Sequence, residues 1–122
     1  MTTSEYVKNI LATAATNEDK AECLALEIAW LTDKQEMNSS SLKECIKMAD
    51  EAMAEYNDLK ADLLQGLGSF SKVKEAYLHA CWLAEQVSNY QEEVIYIGNA
   101  LADCQKELSQ LFDLLELDWL LA

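Results

Sequence analysis

From Val73 to Leu115 an apolar residue returns every three or four positions: Val73, Ala76, Ala80, Leu83, Val87, Tyr90, Val94, Ile97, Leu101, Cys104, Leu108, Leu111, Leu115. A step alternating between three and four matches the helical period, so all these side chains fall on one helix face; a strand would need a step of two. The rhythm holds for six heptads, so this segment is a helical seam that must lie against another apolar surface. A second seam reads Leu42, Cys45, Ala49, Ala52, Tyr56, Leu59, Leu63 and stops at Gly66 and Gly68, the residue type that most often ends helices. There is no proline in the 122 residues and Gly98 is the only other glycine, so few residues oppose long helices.

Loops follow from what interrupts the rhythm. Gly66-Leu67-Gly68-Ser69 is the clearest, with Ser69 or Ser71 as N-cap of the next helix. Met37-Asn38-Ser39-Ser40-Ser41 reads as a second loop, because polar residues replace the seam and Ser41 with Glu44 has capping-box form. Thr16 with Asp19, and Asn89 with Glu92, suggest two further breaks. An unbroken helix from 71 to 116 would be about 69 Å long, more than a chain this size would be expected to cover without dimerising. A break near Ser88 and Asn89 is therefore favoured. The expected helices lie near 3–15, 17–35, 41–66, 70–88 and 90–116. The expected fold is all-α: one domain, residues 1–122, forming a compact antiparallel bundle of about five helices built from helical hairpins. A homodimer through the C-terminal helices is the alternative way to cover the last seam. Residues 89–101 are faintly similar to the second helix of a tetratricopeptide repeat, but that family's Trp, Leu-Gly and closing Pro are missing, so no repeat is assigned.

Charge limits the partners. Twenty-two acidic residues face nine basic ones, all lysine, for a formal net charge of −13. Such a surface repels nucleic acid and anionic membranes and attracts basic proteins. The longest apolar stretch, 24–31, is interrupted by Glu27 and falls far short of the roughly 20 residues of a bilayer span. The first residues carry Glu5 and no basic-then-apolar leader, so the cytoplasm is the expected compartment. Cys23, Cys45, Cys81 and Cys104 are spaced about one per helix, without the close pairs of zinc or redox motifs, and are expected to serve as small core residues. Most of the tryptophans and tyrosines, scattered one or two per helix, are expected in the core as well.

Catalytic parts are scarce. His79 is the single histidine, and Glu75 one turn before it makes only half of a di-iron motif. There is no arginine and no glycine-rich phosphate loop. No catalytic residue, cofactor or metal is expected. Two features point instead to recognition. Glu44, Glu51, Glu55, Asp58 and Asp62 fall on one flank of the second seam and form a negative stripe, with Lys43, Lys47 and Lys60 away from it. The segment 111–122 alternates acids with large hydrophobes and twice matches Leu-x-x-Leu-Leu, so Leu111, Phe112, Leu115, Trp119 and Leu120 are candidate partner-binding residues.

These features lead to an expected function: a small acidic helical protein-binding module, non-catalytic, acting as adaptor, inhibitor or chaperone by occupying a basic or apolar groove of another protein. In size and acidity the chain is similar to the small secretion chaperones of bacteria. The alternative is a phage-encoded nucleic-acid mimic whose carboxylates stand in for phosphates against a restriction or CRISPR effector.

Overall fold

Short polar residues set the helix starts. Thr2 and Glu5 form a capping box, the Glu5 amide donating to Thr2 Oγ1 at 3.2 Å and the Thr2 amide to Glu5 Oε2 at 3.0 Å. The Asp19 amide donates to Thr16 Oγ1 at 3.1 Å, and the Lys72 amide to Ser69 Oγ at 3.3 Å. The computed structural model describes residues 2–115. Its helices are α1 (Thr3–Leu11), α2 (Asn17–Leu64) and α3 (Phe70–Leu114). Among the described residues there is no strand, so the all-α expectation holds.

The helix count does not: among the described residues there are three helices, where about five were expected. Neither the break at 36–41 nor the one at 88–89 exists. Ser41 and Glu44 lie inside α2, and Asn89 and Glu92 inside α3. The physical reason is visible in α2. Its seam runs unbroken through Ala21, Leu24, Ile28, Leu31, Gln35, Asn38, Leu42, Cys45, Ala49, Ala52, Tyr56, Leu59 and Leu63, every one buried or half-buried. Two consecutive positions, Gln35 and Asn38, are polar, which imitates the end of a seam without ending it. The intervening serines cost only modest helix propensity, and neither Gly nor Pro is present to force a stop. The α3 seam likewise passes Ser88 and Asn89 without changing step, and each of its positions from Val73 to Leu115 is buried or half-buried.

Among the described residues the chain stops between α1 and α2, where Thr16 caps the next helix, and at the turn between α2 and α3. The Gly66 amide donates to Leu63 O at 3.0 Å and the Leu67 amide to Asp62 O at 2.8 Å, the bond pair of a Schellman motif. Gly66 has φ 82° and Gly68 φ 80°, a region that a side chain disfavours.

The chain divides into two compact units, each taking part of α2 and α3. One unit comprises Met1–Met37 and Val94–Ala122. In it α1 completes a three-helix core around Val7, Leu24, Leu31, Ile97, Cys104 and Leu111, with Tyr6, Ile10 and Leu11 of α1 packed against it. Leu24, Ile97 and Cys104 are fully enclosed. Each buried Leu or Ile contributes about 1.5–3 kcal/mol. Gln35 Nε2 also donates to Val94 O at 3.2 Å, passing Gly98, whose missing Cβ would stand 3.5 Å from that nitrogen.

The other unit is Asn38–Glu93, an antiparallel hairpin in which Cys45 pairs with Leu83 and Tyr56 with Tyr77. Its buried core is Cys45, Ala52, Ala80 and Leu83, three of them small. Two helices meeting through small residues leave much of their flanks uncovered, and Met48, Met53, Phe70, Tyr77, Leu78 and Trp82 are all exposed. The expectation that most tryptophans and tyrosines lie in the core is therefore corrected: Trp30, Trp82 and Tyr77 are exposed, while Tyr6, Tyr56, Tyr90 and Tyr96 are half-buried. The cysteines divide similarly, with Cys45 and Cys104 buried, Cys23 half-buried and Cys81 exposed, all free.

Candidate functional site

Within the Asn38–Glu93 hairpin, α2 and α3 border a groove of about 260 Å³. Its floor is Cys45, Leu83 and Tyr90; Glu44 and Met48 form the α2 rim, Trp82 and Gln86 the α3 rim. The seam explains the floor, since all three residues are seam positions, Cys45 and Leu83 buried and Tyr90 half-buried. Cys45 Sγ lies 3.8 Å from Leu83 O, close enough for a weak S–H donation that ties the two walls together. Trp82 is 55 % exposed and Met48 46 %, and the His79 ring stacks near Trp82 at 6.5 Å and 15°.

The acidic stripe continues one rim of this groove. Glu51 and Glu55 follow Glu44 at helical spacing along the same edge of α2, and Asp58 and Asp62 extend it. All five are exposed. Among the described residues none of the five is in an ion pair. Lys60 lies over the Tyr56 ring, 6.0 Å from its centroid, rather than against the stripe. The opposite flank carries Tyr77 beside Tyr56 at 5.4 Å; hydrogen bonding with Cys81 holds the Tyr77 hydroxyl above its ordinary pKa.

The C-terminal candidates are placed differently. Leu111 is 7 % exposed and belongs to the core of its own unit, with Phe112 and Leu115 packed against it. Those three side chains are turned inward, while Leu114 is 71 % exposed. Trp119 and Leu120 lie outside the described residues. The five carboxylates thus form one row on α2 within the Asn38–Glu93 unit, while Leu111, Phe112 and Leu115 belong to the core of the other unit. Sequence reasoning missed Met48, Trp82 and Gln86. The available signal was a large apolar residue immediately before a seam position, as Met48 precedes Ala49 and Trp82 precedes Leu83.

A second groove, of about 560 Å³, opens in the other unit between α1 and α2, lined by Tyr6, Ile10, Cys23 and Leu26 with Asn9, Thr13 and Glu27. Nearby, Lys34 covers the exposed Trp30 ring at 4.8 Å. Cys104, enclosed in this unit's core, has its thiol pushed up to about 11 by burial first and by Glu27 and Asp103 second. Among the described residues no three His, Cys, Asp or Glu side chains are grouped to hold a metal ion. No described helix is long and apolar enough to cross a membrane.

Fold and site together define an all-helical acidic protein with an apolar groove edged by carboxylates. No protein-family model, no curated protein and no solved structure matches the chain.

Proposed function

We propose that this chain is a non-catalytic protein-binding module, an adaptor, inhibitor or chaperone, that acts by occupying a surface of another protein. The observation that carries the reading is the hairpin edge itself: an open row of carboxylates beside the exposed Trp82 and Met48. Aromatic and Met side chains at a partly enclosed centre with charge at the rim are what protein interfaces are made of. The charges speed encounter with a basic partner, and the apolar groove supplies the lasting affinity.

A second reading, nucleic-acid mimicry, is favoured by the stripe alone, since five exposed carboxylates without counter-charges also suit a phosphate-binding channel. The two readings differ in their response to salt. Affinity capture from the native host should retain a protein at low salt and, under the interface reading, keep much of it at high salt. Complete loss at high salt, together with indifference to Trp82→Ala, would favour mimicry. A small molecule turned over by the pure chain would overturn both.

A further inference from the structure

We infer that the groove between α2 and α3 in the Asn38–Glu93 hairpin receives an amphipathic helix of a partner protein, basic along one flank, with a large apolar side chain seated between Met48 and Trp82. This rests on the protein-binding reading above and adds the shape and charge of the occupant.

The helical shape follows from how the chain packs its own seams. In the unit where a third helix is present, α1 lays Val7, Ile10 and Leu11 against the α2 and α3 seams and closes the core. In the hairpin unit no third helix exists among the described residues, and the groove walls Met48 and Trp82 remain in solvent. Two antiparallel helices bordering an open trough accept a helix through ridges set into grooves, with anchors at steps of three, four and seven. The groove, about 260 Å³, exceeds the roughly 150 Å³ that holds a benzene ring in an engineered core, so one Leu, Phe or Trp fits.

The sign of the flank follows from the rim. Glu44 lines the groove, Glu51 and Glu55 continue its edge, and among the described residues no cation pairs with them. A Lys or Arg row on the incoming helix, one turn away from its apolar anchor, meets that edge. A second copy of this chain is disfavoured as occupant, because it brings more carboxylates from a chain of charge −13.

The test uses the full chain and a fluorescently labelled model peptide of leucine and lysine, patterned for one apolar helix face, alongside a scrambled isomer of identical composition. Anisotropy titrations should give the patterned peptide at least about tenfold tighter binding than the scrambled one. Trp82→Ala and Met48→Ala should each weaken it several-fold. The triple change Glu44→Gln, Glu51→Gln, Glu55→Gln should remove most of its salt dependence, and Trp30→Ala in the other unit should leave it unchanged. Circular dichroism melts of every variant should match the wild type, since the altered side chains are exposed. Equal binding of the two isomers, or indifference to Trp82→Ala, overturns the proposal. So does self-association of the free chain that Trp82→Ala abolishes. A host protein whose capture depends on the stripe, persists at high salt and ignores Trp82 defeats the helix occupant and leaves the protein-binding reading standing. Capture that depends on neither defeats both.

Discussion

At the scale of single residues, the polar pair in the α2 seam governs how the sequence is read. Gln35 Oε1 and Asn38 Nδ2 are buried and have no hydrogen-bond partner among the described residues. Each such orphan costs about 1–3 kcal/mol, a cost proteins accept where a polar core position fixes helix register. Asn38→Leu should therefore raise stability by about 1 kcal/mol in urea melts; a lower midpoint would contradict the orphaned-amide account. The cysteines give a second prediction. Cys81 is exposed and Cys104 enclosed with its thiol near 11, so a thiol reagent at neutral pH should label Cys81 quickly and Cys104 only on unfolding. The folded thiol of Cys104 holds its proton after the unfolded one, of ordinary value 9.0, has lost it. Its contribution to stability is therefore constant below about pH 9 and falls as pH rises toward 11. Thermal melts whose midpoint climbs across that alkaline window would contradict this sign.

At the scale of elements, helix ends were more legible than helix continuity. Thr16, Ser69, Gly66 and Gly68 act as the sequence suggests, because caps and left-handed glycines are local chemistry. Gly66→Ala should destabilise by about 1 kcal/mol through its positive φ, measurable in the same urea melts; no change would mean the turn relaxes. Both seams were legible in full over Leu42–Leu63 and Val73–Leu115. What could not be read was that α2 continues through Gln35 and Asn38, since a polar seam residue and a loop residue look alike until the facing helix is known. The supposed obstacle to a long α3, the lack of a covering surface, disappears once α2 is equally unbroken. The candidate site followed the same pattern. The carboxylate row is a spacing property of one helix and was visible, whereas the groove needs Met48 and Trp82 from two helices and was not.

At the scale of the whole molecule, the two units differ in how they are held together. The unit containing α1 encloses Leu24, Ile97 and Cys104 completely, whereas the hairpin rests on a core of mostly small residues. Native-state hydrogen exchange should find the slowest amides around Leu24 and Ile97–Cys104 and faster ones over 45–60 and 73–90; the reverse order would mean that the hairpin is the stable core. A thinly packed, acid-edged hairpin gains most from a partner, and that is the account's central claim. The most direct measurement is calorimetric titration of a captured host partner at two salt concentrations. It would compare the wild type, a stripe variant with Glu44, Glu51, Glu55, Asp58 and Asp62 changed to amides, and Trp82→Ala. The account predicts that both variants bind more weakly and that only the stripe variant loses its salt dependence. Unchanged affinity in both variants would contradict it.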